Sequence, residues 1–340
     1  MKLARNKAGL FAAGIGVAAL VLAGCTQAET DTAPAEEEAS STAAETTEVT
    51  AEAPAPFNDG TVKIAIVENS GAGDYFQQFR NGAVQQAEAM GIDFEIYDAQ
   101  ADNAKQATDM ETAIGSGVDG IIVRHGNTDT MCPLINQALD AGIPVVIYDI
   151  EVTECAPRAI ETSQSDFDLA ETVLTQMAAD MGTGIEVGYV NVFGIAPLDR
   201  RHTIWEEFKA ENSWTESFFV GEFTKGTVSA IEQNGMEGTV FAYGIDISNA
   251  DIEVMTAENS PWKATAGTDP NAIGAAVVRT MILHLAGELD MNEYQFPGVL
   301  ITQDFLVDNA ITNMDELRAA LPDLNLSTTM GADWIPAVSF

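Results

Sequence analysis

From Thr61 to Leu285 the apolar positions follow two alternating rhythms. Val62–Val67, Phe94–Tyr97, Gly120–Val123 and Pro144–Tyr148 are short β-branched runs, the pattern of strands covered on both faces. Between them Tyr75–Met90, Asn103–Ile114 and Thr130–Ala141 carry apolar residues three and four apart, the spacing of helices with one buried side. Strand and helix repeated in this order predict a parallel sheet with helices on both faces, and such a sheet binds ligands outside the carboxyl ends of its strands. A second series begins near Asp166 with a helix to Met181. It continues through strand Glu186–Val192, helix His202–Glu211, strands Ser217–Val220 and Val240–Tyr243, and helix Asn271–Leu285. The expected fold class is therefore α/β, two doubly wound parallel-sheet lobes.

The amino terminus has a different pattern. Lys2, Arg5 and Lys7 precede an uncharged small-apolar run, Ala8–Gly24, that ends in Leu22-Ala23-Gly24-Cys25. That is the layout of a signal peptide, and at about 17 residues the run is short of the roughly 20 a bilayer-spanning helix needs. The Leu-Ala-Gly-Cys box resembles that of bacterial lipoproteins, which implies cleavage after residue 24 and lipidation of Cys25. From Thr26 to about Gly60 the chain turns to Ala, Thr, Glu and Pro, with Glu36-Glu37-Glu38, Pro54 and Pro56. Such a stretch lacks the apolar residues to collapse, so residues 25–60 are expected to form a disordered acidic tether.

Composition narrows the function classes. The 340 residues suffice for about two domains, and 46% of them are hydrophobic, enough to bury a core. Fifteen Lys and Arg stand against 52 Asp and Glu, a net charge of −37 that repels phosphate backbones and excludes nucleic acid as a partner.

The strand and helix runs also carry a resemblance. Val62-Lys63-Ile64-Ala65-Ile66-Val67 is followed by Gly73-Asp74-Tyr75-Phe76, which opens a helix containing Arg80-Asn81-Gly82-Ala83. Further on come Gly117-Val118-Asp119-Gly120-Ile121-Ile122-Val123 and Ala141-Gly142-Ile143-Pro144-Val145-Val146. Tyr243-Gly244-Ile245-Asp246 and Asp269-Pro270-Asn271-Ala272-Ile273-Gly274 complete the series. In order and spacing over Thr61–Asp304 these resemble the ribose-binding-type (type 1) periplasmic binding proteins. The resemblance implies two lobes joined by a multi-crossover hinge, 61–161 with 269–294 and 162–268 with 295–340. It implies an extracytoplasmic, lipid-anchored monomer without cofactor or enzyme activity, which closes on a sugar or sugar-like polyol and delivers it to an ABC permease. A sensory or chemotaxis role would use the same site.

A polyol offers hydroxyls around its rim and apolar ring faces, so its site needs charged groups for paired hydrogen bonds and flat aromatics for stacking. The strand-end loops supply Tyr75 and Phe76, then Arg124 and His125, then Asp149. A charged residue such as Arg124 is expected at the cleft rather than in the core. In the second lobe the resemblance implies an arginine of Asp199-Arg200-Arg201 on ligand hydroxyls, Arg200 being preferred and its neighbour left to a salt bridge within the lobe. It also implies Asp246 as a ligand carboxylate. Thr268 and Asp269 fall at its hinge, where Asp269 has the alternative role of capping the helix that Pro270 starts.

One departure matters. After Gly226-Thr227-Val228-Ser229-Ala230 the resembling proteins have a further helix, strand and helix before the Tyr-Gly-Ile-Asp strand, and here only Ile231–Gly238 intervenes. About one strand–helix unit is therefore expected to be absent from the second lobe, leaving two strand edges unpaired or the sheet rearranged. Other chemistry finds little support. Gly71-Ala72-Gly73 lacks the third glycine of a dinucleotide loop, where Phe76 stands instead, so a nucleotide-dependent enzyme is the weaker alternative. His125, His202 and His284 have no metal-ligand spacing. Cys132 and Cys155 follow neighbouring strands at one sheet edge and could pair outside the cytoplasm.

Overall fold

The computed structural model describes residues 49–58, 60–220 and 224–340. Cys25, the signal segment and most of the tether lie outside them. The described residues form a single compact unit, within which the two lobes are built.

The first lobe opens with β1 (Lys63–Glu68), α1 (Asp74–Ala89), β2 (Asp93–Asp98), α2 (Asn103–Gly115), β3 (Gly120–Arg124), α3 (Thr128–Asp140), β4 (Val145–Tyr148) and β5 (Ile160–Gln164). The second contains α4 (Asp166–Met181), β6 (Glu186–Val190), α5 (Ala196–Glu211), β7 (Thr215–Val220), α6 (Thr224–Gln233), β8 (Ala242–Ile245), α7 (Asn249–Thr256) and β9 (Trp262–Gly267). The chain then returns to the first lobe in α8 (Pro270–Ala286) and β10 (Glu293–Phe296), and to the second in β11 (Val299–Thr302), α9 (Gln303–Asp308) and α10 (Met314–Ala320).

The first-lobe sheet has the order β10-β5-β4-β3-β1-β2, with every pairing parallel. Alternation along its strands sorts the core. Ile64, Ile66, Ile122 and Val146 pack with α1 and α8, while Ala65, Val67, Ile121, Val123 and Ile147 pack with α2 and α3 on the other face. β2 departs from the expectation of a buried strand. It lies at the sheet edge, and none of its six residues is buried.

α1 and α8 cross at two glycines. A Cβ on Gly82 would stand 1.9 Å from the Asn271 carbonyl oxygen, and one on Gly274 would stand 2.0 Å from that of Phe79. Only hydrogen fits there. Helix starts are fixed by side-chain caps: Asp102 accepts from the N–H groups of Ala104 and Lys105, Asn127 from Thr130, and Asp269 from Asn271 behind Pro270.

Three boundaries expected from the sequence shift. The last residues of the tether are packed, with Ala53 and Phe57 against the first-lobe core, Phe57 5.6 Å from Trp334 between ring centroids, and the Thr50 N–H donating to the Asp333 carbonyl. The stretch 295–340, expected in the second lobe, is divided: Phe296 completes the first sheet, and Leu326, Trp334 and Ile335 return to the first-lobe core. The strand expected at Val240–Tyr243 lies two residues later, so Asp246 follows it directly.

In the second lobe the strands form two separate sheets. β6 pairs in parallel with β7, while β8 pairs in parallel with β9, which β11 joins antiparallel. Among the described residues no ladder connects β6 to β8. Residues of both strands line the cavity between them.

Candidate ligand-binding cleft

The carboxyl ends of β3, β4, β6, β8 and β9 lead into His125, Asp149, Asn191, Asp246 and Thr268. Three of these, His125 (φ 52°), Asp149 (φ 57°) and Asp246 (φ 77°), adopt left-handed backbone, a conformation that costs non-glycine residues about 1–3 kcal/mol and that clusters at binding sites.

The first lobe contributes an aromatic and acidic floor. The hydroxyls of Tyr75 and Tyr148 lie 3.3 Å apart, and burial, with Asp149 and Asp246 nearby, raises both phenols so that they stay protonated. Phe76 meets Tyr75 and His125 edge to face, at centroid distances of 5.7 and 5.4 Å. His125 Nε2 stands 3.4 Å from Asp149, whose other oxygen accepts the Gln164 N–H at 3.3 Å.

Arg124, expected at the cleft, lies in the core instead, with no exposed surface. The parallel register of β1 and β3 sets it beside Glu68, which it meets at 2.7 Å. It also donates to the Phe76 and Ser70 carbonyls and lies over the Phe76 and Phe79 rings. Its guanidinium holds the β1–α1 loop from beneath and presents Phe76. Burial lowers its pKa to about 10, which leaves it charged at neutral pH.

Arg200 and Arg201 both bind Asp166 at the start of α4. Arg200 reaches its Oδ2 through two nitrogens, at 2.8 and 3.0 Å, and crosses to Glu151 of the first lobe at 3.2 Å. Arg201 meets Oδ1 at 2.7 Å and extends to Asp246 at 3.5 Å. The arginine beside Asp246 is thus Arg201, while Arg200 joins the lobes. Burial alone would lower the pKa of Arg201, but Asp246, Asp166 and Asp149 raise it, so the charge is held.

Asp246 keeps 34% of its side chain exposed, accepts the Gln164 amide at 3.1 Å and so retains capacity for hydroxyl donors. Gln164 in turn accepts from the Thr268 hydroxyl at 2.8 Å, which links the ends of β5, β8 and β9. Asp269 is fully buried as the cap of α8 and the partner of Arg318, the alternative role weighed for it. Across the cleft Asp74 accepts the Ala250 N–H at 3.0 Å, a second tie between lobes.

Sequence reasoning missed three polar residues here. Glu68 reads as the last position of an apolar strand, and Gln164 ends a strand too polar to register as one. Asn191 sits in Tyr189-Val190-Asn191-Val192, which reads as strand interior. Its Nδ2 is buried and has no hydrogen-bond partner. Asn191, Arg201 and Asp246 border a cavity of about 270 Å³ between β6 and β8. Elsewhere, Cys132 of α3 and Cys155 of the β4–β5 loop are bridged, with Cα atoms 6.1 Å apart. Among the described residues no group of three or more His, Cys, Asp or Glu side chains could hold a metal ion.

Comparison with known proteins agrees with this architecture. Residues 64–211 match the periplasmic binding protein domain. The structure of a 5-methylthioribose transporter solute-binding protein from Thermotoga lettingae TMO is 34% identical, with a TM-score of 0.77 over 81% of this chain and 97% of that one. A sugar ABC transporter protein from Yersinia enterocolitica is 25% identical, with a TM-score of 0.76 over 82% and 94%. The D-ribose/D-allose-binding protein of Pseudomonas aeruginosa is 30% identical over 229 residues, 63% of this chain and 64% of that protein. Matches to curated relatives span between 24% and 64% of the relatives' own lengths. These relatives are solute-binding proteins of transporters and not enzymes. With the two α/β lobes and the strand-end cleft already described, the chain belongs to the ribose-binding-type periplasmic binding proteins.

Proposed function

We propose that this protein is a lipoprotein, anchored through Cys25 outside the cytoplasmic membrane, that captures a sugar or sugar-like polyol between its lobes and presents it, as a monomer, to an ABC import permease. The observation that carries the reading is the meeting of strand ends from both lobes around Asp246. There a partly exposed carboxylate stands within reach of Gln164 and Arg201, above the neutral Tyr75–Tyr148 pair. Carboxylate, amide and phenol together match the alternating donors and acceptors of a polyol rim. The relatives named for ribose and 5-methylthioribose support a pentose-like ligand.

A ligand favours closure only through contacts with both lobes, and the second lobe presents a broken sheet. Affinity for a plain sugar is therefore expected to be at least about ten-fold weaker than that of an intact relative, and grafting a relative's strand–helix unit after Ala230 should restore it. Titration calorimetry against pentoses, hexoses and polyols tests the reading. Asp246→Ala should weaken the best ligand by about 1.5–3 kcal/mol, or roughly one to two decades. Unchanged affinity in that variant would remove Asp246 from the site, and micromolar binding of a plain sugar by the unaltered chain would refute the expected weakness.

A further inference from the structure

The gap between β6 and β8 is a chamber whose lining includes Asp246, Arg201 and Asn191 of the proposed sugar site. At the strand ends it is bordered by Asp246, Arg201 and Asn191, and further along the strands by side chains such as Val173 of α4, Val187 of β6 and Trp205 of α5. The polar groups stand at the strand ends, where the hydroxyls of a bound sugar would lie. The apolar ones stand behind them, between two strand edges that no third strand separates. Trp205 is well suited to face an apolar group, since its indole is held flat by stacking on Tyr189, with centroids 4.6 Å apart and planes 4° from parallel. Asn191 adds an independent indication. Its side chain is 94% buried, yet its amide nitrogen donates to nothing, an arrangement that normally costs free energy unless a ligand supplies the acceptor.

We infer that the β6–β8 chamber is a subsite for the apolar substituent of a substituted sugar, such as an alkylthio or arylthio pentose, whose hydroxyls are held at Asp246 and Arg201 and whose ring or linking heteroatom accepts from Asn191. The inference rests on the sugar-binding reading above and deepens it. A chamber of about 270 Å³ has room for a substituent of aromatic-ring size. Each methylene it takes from water strengthens binding about four-fold, so a thioether tail should compensate in part for the contacts a broken sheet lacks.

The test is calorimetry on the full chain with D-ribose, 5-methylthio-D-ribose and 5-phenylthio-D-ribose. The expected order is phenylthio, then methylthio, then ribose, with at least about ten-fold between the extremes. Val187→Phe and Val173→Phe fill the chamber and should abolish that preference. Because a filled variant could fail to fold, the unaltered chain gives a second readout: substituted sugars should perturb tryptophan emission more than ribose does, and Trp205→Phe should remove the excess. Equal affinities for all three sugars would overturn the subsite while leaving sugar binding intact, as would a preference that survives in folded filling variants. An emission change that survives Trp205→Phe would count against it too. If none of the three binds at concentrations on the order of 10 mM, the pentose-like ligand and the subsite fail together, and the titrations with hexoses and polyols decide sugar binding itself.

Discussion

Replacing Gly274 with alanine places a single methyl group where two helix backbones touch. The added Cβ would lie 2.0 Å from the Phe79 carbonyl oxygen, 2.9 Å from its carbon and 3.0 Å from the Ala83 nitrogen. Ordinary contact begins near 3.4 Å, so α1 and α8 must part by about 1.4 Å. Every atom met is backbone, so no rotamer change relieves the clash. Overpacking of this kind costs about 1–3 kcal/mol, and the separation also loosens the apolar contacts on either side. Alanine's better helix propensity offsets about 1 kcal/mol, leaving an expected net loss of up to about 2 kcal/mol. Urea unfolding should show a lower midpoint at unchanged slope. Gly115→Ala, at the end of α2 with nothing within 4 Å of the added carbon, is the control and should be neutral or slightly stabilising. Because α1 begins just before Tyr75, Gly274→Ala should also disturb the Tyr75–Tyr148 contact and weaken sugar binding. A Gly274→Ala protein as stable as the Gly115→Ala control would refute the close-packing argument.

Other outcomes follow from individual groups. The oxidised, exported protein should show no free thiol from Cys132 or Cys155, and reduction of their 23-residue loop should cost about 2–4 kcal/mol; two titratable thiols would contradict the bridge. His284 on α8 is half-buried, and burial holds its pKa below 6.5. Its contribution to stability is therefore present above pH 6.5 and lost as pH falls through the depressed value, so His284→Gln should flatten the decline of stability just below pH 6.5. A decline of the same slope in both proteins would count against this. Membrane anchoring is read from Leu22–Cys25: the native protein should partition into detergent and lose its first 24 residues, and Cys25→Ser should block both. An unmodified, uncleaved amino terminus by intact mass would rule that out.

The amino-acid sequence by itself determined the architecture wherever burial follows a local rhythm. The apolar runs around Ile64, Ile121 and Val146 are strands because both their faces are covered, and the three-and-four spacing between them makes helices. The positions just after those runs were legible for the same reason. Polar residues that follow an apolar strand are often at its open end, and His125, Asp149 and Asp246 all stand just beyond the carboxyl ends of strands. Pairing between distant segments was not legible. Arg124 also ends an apolar run, yet it is buried, because the β1–β3 register sets Glu68 beside it and a charge is tolerated in a core only when its partner is there. Which of Arg200 and Arg201 faces Asp246 depends on how α5 sits against Asp166 at the start of α4. The return of Trp334 to the first lobe likewise depends on Phe57, far away in the chain. The arrangement of the second-lobe strands was not legible either. Only the tertiary structure shows β6 and β8 standing apart around a chamber, since whether two edges pair is settled by the whole lobe's packing and not by either strand.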